Sequence, residues 1–202
     1  MNRRLIVQMQ TSVDAVVSAD DPKLSWQLWN WGEAWPWDDQ LKARFNQTLA
    51  GVDTILLSRA MAQEGYIDHW TRAGERFADD PQYAFARRVA SVHKRVLSRQ
   101  PLELRWPRTS QGHGPLADEV AALKQAPGGD LIAFGGVGFT SRLLAAGVVD
   151  ELQLYVNPIA VVAGRRLFGQ PGQRLRLIEA VPHACGIVVN RYGPLVQQAS
   201  TR

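Results

Sequence analysis

Cysteine is almost absent. Cys185 stands alone among 202 residues, so no intramolecular disulfide can form, and no CxxC or zinc spacing surrounds it. A reduced, cytoplasmic setting fits. Long apolar runs are missing as well: nothing approaches the roughly 18 unbroken apolar residues of a membrane span. The start, Met1 to Arg4 followed by Leu5 to Gln10, is too short for a signal-peptide core and is interrupted by Gln8 and Gln10. There is no block of one charge sign. The formal charge is +4 and the arginines are dispersed, which favours local anion sites over a nucleic-acid surface. His69, His93, His113 and His183 lack the spacing of metal ligands on one element, so no metal is assigned. Without a Gly-Lys-Ser/Thr, a Walker A loop is excluded. Apolar residues at 46% and charged residues at 21% are ordinary globular values, and residues 1–202 are expected to fold as a single domain.

Against that background, Gly128 to Leu144 is the organising stretch. Leu131 to Phe134 is a short apolar run bounded by glycines and followed by a helical pattern, the signature of a buried parallel strand feeding a helix. Gly135, Gly136 and Gly138 lack a Cβ, so the backbone can take positive φ and come close to a ligand. The first N–H groups of the helix, through Val137, Phe139 and Thr140, would face a phosphate. Glycines serving only a tight turn are the structural alternative.

Two other strand ends carry anion-suited residues. Thr54 to Leu57 runs into Ser58-Arg59, and Val96-Leu97 runs into Ser98-Arg99 after a helix begun by Pro81. In an open α/β sheet ligands sit beyond the carboxyl ends of the strands, so three such loops would border one crevice. Upstream, Leu5 to Met9 is a first strand with Asp14 near its end, either an Asx turn or a ligand contact. Trp26, Trp29, Trp31, Trp35 and Trp37 crowd a segment that also holds Gly32 and Pro36. Its rings could line a pocket for a planar molecule or plug the core. Asp38 and Asp39 then open a helix carrying Leu41, Phe45 and Leu49 and stopped by Gly51. One of the two caps it, and the other, beside the aromatic loop, is a candidate proton donor.

Residues 105–115 read as a loop and Leu116 to Lys124 as a helix. Glu151 to Val156 alternates as a strand, Ile159 to Val162 continues as an apolar piece, and Gly164 to Phe168 is a turn. Leu175 to Val181 and Gly186 to Tyr192 are late strands with no helix between them, hence antiparallel. The expectation is an α/β, three-layer fold with a mixed, mostly parallel sheet and antiparallel C-terminal strands.

A Rossmann fingerprint fails, because Ser141 stands where a glycine is needed and the motif follows some 130 residues rather than opening the chain. The order of elements, and the residues just quoted, instead resemble the dihydrofolate reductase-like fold. The resemblance is closest to the reductase domain of the bifunctional riboflavin-biosynthesis deaminase-reductase family, spans nearly the whole chain and is strongest over Gly129 to Phe168. Ser12-Val13-Asp14-Ala15 is similar to that family's Ser-x-Asp-Gly, with alanine for glycine. Ser58-Arg59-Ala60-Met61 is similar to its Gly-Arg-x-Thr, with methionine for threonine. Val149 to Leu152 and Gly164 to Phe168 resemble its structural markers, while its deaminase zinc pattern of His and Cys does not occur in these residues.

The resemblance implies NADPH held by Ser58, Arg59, Ser98, Arg99 and Gly135 to Thr140, with Arg99 on the 2′-phosphate and a cis peptide between Gly135 and Gly136. It also implies hydride transfer to a small pyrimidine- or pterin-like substrate and a homodimer. Asp39 or Asp14 is expected to supply the proton or orient the ring, with Trp37 and Asp38 against the substrate. A non-catalytic nucleotide or pterin binder is the competing class.

Overall fold

The computed structural model describes residues 3–29, 35–169 and 174–194; Trp31, within the aromatic segment, lies outside them. Strand β1 (Leu5–Ser12) is buried on both sides. Leu5, Val7 and Met9 enter one core and Ile6 the other, the pattern of a central parallel strand. A short β2 (Val16–Ala19) follows. Helix α1 (Asp39–Ala50) buries Leu41, Phe45 and Leu49, the i, i+4 stripe that its sequence announces. Next come β3 (Val52–Ser58), the one-turn α2 (Arg59–Gln63), α3 (Tyr66–Arg76), α4 (Ala84–Ser91) and β4 (His93–Leu97). The chain continues with β5 (Thr109–Gly112), α5 (Leu116–Gln125), β6 (Asp130–Phe134), α6 (Val137–Ala145) and β7 (Glu151–Asn157), and ends with β8 (Gly164–Arg166), β9 (Arg176–Pro182) and β10 (Val188–Gly193).

Eight strands form one sheet in the order β5-β4-β3-β6-β1-β7-β10-β9, while β2 and β8 pair separately. From β5 to β7 all pairs are parallel, and β10 runs antiparallel to both β7 and β9. Helices α1, α3 and α4 bury their apolar residues against one face, α5 and α6 against the other. This is the expected three-layer α/β architecture.

Three local readings are corrected. Residues 105–115 are not all loop: Thr109–Gly112 pairs with β4 as the edge strand β5, held by backbone bonds and not by apolar side chains. Ile159 to Val162 forms no strand, because the N–H groups of Val161 and Val162 go to the Asp14 carboxylate, and that of Ile159 to Asn157 O, instead of a ladder. Gly164–Arg166, read as a turn, pairs with β2.

Candidate functional site

The sheet order makes β4, β3 and β6 neighbours, so the three loops at their carboxyl ends lie side by side. At the end of β6, Gly135 and Gly136 both take positive φ, 76° and 70°, values that cost L-residues with a Cβ about 1–2 kcal/mol. The peptide between them is trans, which corrects the expectation of a cis bond; two left-handed glycines make the sharp strand-to-helix turn instead. Gly136 caps α6, and its carbonyl accepts from Phe139 N at 2.8 Å and Thr140 N at 2.9 Å. The buried Thr140 hydroxyl donates to Gly135 O at 3.1 Å and locks the turn from beneath. The Phe139 and Thr140 N–H groups are thus spent inside the turn and do not face a phosphate as expected; Gly136 and Val137 are what the start of α6 brings to the crevice.

Ser58 accepts from Met61 N at 3.2 Å and so caps α2. Arg59 donates through Nη1 to Gln100 Oε1, tying the end of β3 to the end of β4. Its Nε is enclosed without an acceptor among the described residues. Ser98 is spent on its own turn, accepting from Gln100 N and donating to Gln100 O, both at 3.1 Å. Arg99 is exposed beside it. One cation that the sequence did not single out joins this edge. A Cβ built on Gly138 would lie 3.5 Å from Arg165 Nη2, so that guanidinium stands over the first turn of α6. Glycines, a helix start and three arginines along one edge suit an extended phosphorylated ligand.

The glycine turn opens onto a cavity of about 300 Å³. Trp29, Trp37, Phe45, Trp70, Phe85 and Phe134 supply its aromatic lining. Trp37, 3% exposed, stacks on Tyr155 with ring centroids 5.2 Å apart and 16° between the planes. Trp29 packs against Trp37 at 5.0 Å and Trp70 at 5.6 Å, so much of the aromatic segment is wall and core at once. Polar lining comes from Gln8, Gln10 and Gln27, from Glu64 at the rim and from Tyr66. Burial drives the Tyr66 phenol well above its usual range, so it stays protonated.

The sequence-chosen carboxylates lie elsewhere. Asp14 accepts from Ser12 Oγ at 2.6 Å and from the backbone N–H groups of Val161 and Val162 at 3.0 and 2.8 Å. These bonds, that of Ser12 foremost, pull its pKa down to about 2. It is therefore an ionised clamp on the segment after β7 and not placed as a proton donor. Asp39 is exposed on the first turn of α1, where it accepts from Gln82 Nε2 at 3.1 Å and does not line the cavity. Asp38 is the cap: Oδ1 accepts from Leu41 N at 2.8 Å and Oδ2 from Cys185 N at 3.3 Å, with His183 Nδ1 3.5 Å away. Its burial opposes ionisation, but those N–H groups and the histidine outweigh it and lower the pKa. Its carboxylate is spent on the α1 start and the β9–β10 turn, so it does not stand against a substrate as expected. Of the predicted substrate residues, only Trp37 lines the cavity.

A sheet of this order, with a glycine turn and an aromatic cavity at the carboxyl ends of its parallel strands, defines a protein of dihydrofolate reductase-like fold. Within that class, residues 3–189 match the RibD C-terminal domain, and the chain belongs to that family. It is 26% identical over 179 residues to the uncharacterized protein YyaP of Bacillus subtilis (strain 168), covering 87% of this chain and 85% of YyaP. Among solved structures it resembles a putative riboflavin biosynthesis protein from Shewanella sp. PV-4, at TM-score 0.68 and 20% identity, covering 97% of this chain and 100% of that one. It also resembles the diaminohydroxyphosphoribosylaminopyrimidine deaminase/5-amino-6-(5-phosphoribosylamino)uracil reductase of Thermotoga maritima, at TM-score 0.64 and 9% identity. That match covers 96% of this chain and 57% of the bifunctional protein.

Proposed function

We propose that the protein is an NADPH-dependent reductase of a small planar pyrimidine- or pterin-like heterocycle. The observation that carries the reading is continuity: Gly135, Gly136 and Val137 belong both to the anion-suited turn and to the lining of the aromatic cavity. A dinucleotide whose phosphates lie along Arg59, Arg99, Arg165 and the start of α6 would place its ring end at the cavity mouth. NADPH bound there would supply the hydride. The chain's own residues would do the rest: Trp37 and Trp70 hold the substrate ring flat, the apolar wall excludes water, and Glu64 at the rim admits a proton from solvent. Membership in the RibD C-terminal domain family supports the same reaction class. The test is NADPH oxidation with pyrimidine, pterin and simple carbonyl substrates. Turnover confined to the flat heterocycles supports the reading; saturable binding of NADPH with no oxidation by any of them refutes catalysis.

We also propose a homodimer. Among the described residues, strand β9 ends the sheet with no partner on its outer side and exposes Leu177 and Ile178, a liability that a second copy would cover. A monomer in sedimentation at micromolar concentration would remove that proposal.

A further inference from the structure

We infer that the cavity takes an uncharged flat ring bearing an amide-type N–H, and that the side-chain oxygen of Gln8 accepts this N–H. The identification of the ring as a substrate rests on the reductase reading above; the hydrogen-bond argument does not.

On β7, Glu151, Gln153 and Tyr155 alternate onto the face shared with Gln8, which lies directly opposite Gln153 in the parallel register. Glu151 is buried and receives Arg191 Nε at 2.6 Å and Nη2 at 2.9 Å, with Arg4 Nη1 at 3.4 Å. Burial alone would raise its pKa, but Arg191 and Gln153 reverse that and lower it. An ionised carboxylate only accepts. Gln153 must therefore turn its amide nitrogen toward Glu151, and Nε2 does donate to Oε1 at 2.7 Å.

That leaves Gln153 Oε1 facing Gln8, so Gln8 can meet it only with its own nitrogen. Gln8 Nε2 donates to Gln153 Oε1 at 2.9 Å and to the Tyr155 hydroxyl at 2.8 Å. Both protons of the Gln8 amide are thus committed to β7. A flip of the amide would set two carbonyl oxygens against each other, so the ion pair at the strand's start fixes the orientation two residues further along. Gln8 lines the cavity, and its oxygen receives no donor among the described residues. An acceptor held so rigidly selects a ligand that brings a donor and penalises one that does not, because the oxygen would be left dry.

Charge narrows the ligand further. No Lys, Arg or His lines the cavity among the described residues. Away from the glycine turn, a phosphate carried into this space would meet Glu64 and indole rings with no cationic side chain among the described residues. The ligand class is therefore a neutral lactam or imide ring, without the phosphoribosyl group in the name of the Thermotoga maritima protein.

The experiment is fluorescence titration of the full chain, using its tryptophans as reporters, with lumazine and with 1,3-dimethyllumazine, whose ring N–H groups in the imide are blocked. Uridine and uridine 5′-phosphate form a second pair. Lumazine is expected to bind at least about tenfold more tightly than its dimethyl analogue, and uridine more tightly than its phosphate. Gln8→Met should erase the lumazine preference. Gln153→Met, which touches no ligand, should weaken lumazine several-fold and leave dimethyllumazine unchanged, a split that simple loss of packing would not produce. Equal binding of the two lumazines to the wild-type chain overturns the proposal without any variant. Retained discrimination in folded Gln8→Met, or tighter binding of uridine 5′-phosphate than of uridine, overturns it too. Lumazine discrimination in a protein that does not bind NADPH would support the Gln8 assignment while refuting the reductase reading.

Discussion

Helix α6 is flanked by two glycines with nearly the same φ, and they separate the conformational role of the glycine turn from its proposed ligand role. Gly136, at its start, has φ 70°, and Gly147, just past its end, has φ 66°. Alanine at either site pays about 1–2 kcal/mol for the left-handed conformation and recovers roughly 0.5–1 kcal/mol from a stiffer unfolded chain. A net loss of about 1 kcal/mol corresponds to a fall of roughly 2–4 °C in melting temperature for a chain of this size. A Cβ at Gly147 meets nothing within 4 Å. At Gly136 it lies 3.4 Å from Met61 Sδ and 3.6 Å from Ser58 Oγ, within ordinary contact and on the floor of the proposed pyrophosphate cradle. Thermal melts of Gly136→Ala and Gly147→Ala should therefore agree within a few degrees. NADPH titrations of the two should not: Gly147→Ala binds as the parent does, and Gly136→Ala loses at least about tenfold, the equivalent of one charge-assisted hydrogen bond. Parental NADPH affinity in folded Gly136→Ala would show that the turn does not hold the cofactor.

Arg99→Ala should weaken NADPH about tenfold or more while leaving NADH nearly unchanged, from the roughly 1.5–3 kcal/mol of a hydrogen bond to a charged group; equal losses for both would remove Arg99 from the 2′-phosphate. Asp39→Asn should leave turnover and NADPH affinity as they are, because its carboxylate faces Gln82 outside the cavity, and a clear fall in turnover would contradict its placement. Asp14 has its folded pKa depressed from 3.8 to about 2, so its stabilisation is complete above about pH 4 and is lost as pH falls through 2. Asp14→Asn should flatten that part of the acid-stability curve and spare catalysis. Lys94, 1% exposed, is held down to about 8, against the usual 10.5, chiefly by burial and then by Arg108. The unfolded chain binds the extra proton between those values, so stability should rise with pH across that window. Lys94→Met should be more stable than the parent at pH 7, with the gap closing above pH 10.5.

The parts of the site written as contiguous strings were legible. Gly135 to Thr140, Ser58-Arg59 and Ser98-Arg99 each follow an apolar run, and the rule that ligands sit at strand carboxyl ends gathers them. The sheet then sets β4, β3 and β6 side by side. Residues whose role depends on register were not legible. Gln8 meets Gln153 only because β1 and β7 pair in parallel with Gln8 opposite Gln153, and Arg165 reaches Gly138 only through the β2–β8 ribbon. Asp38 and Asp39 differ by one position, the usual uncertainty of a helix start, and the β9–β10 turn settles which of them caps by offering Cys185 N to Asp38. Strand β5 was invisible because Thr-Ser-Gln-Gly has no apolar alternation and owes its place to β4 alone. Helix α3 does carry a stripe, Tyr66, Ile67, Trp70 and Gly74, but its charged residues and left-handed Gly65 start hid it behind the Ser58-Arg59 signal.

The central claim is that the edge formed by Arg59, Arg99, Arg165 and the start of α6 binds NADPH. Calorimetric titration of the full chain with NADPH, and with NADH under the same conditions, tests it most directly. The expected result is a saturable isotherm with one NADPH per chain, at least about tenfold tighter than NADH and weakened by added salt. No binding of NADPH, or equal binding of the two cofactors, would contradict it.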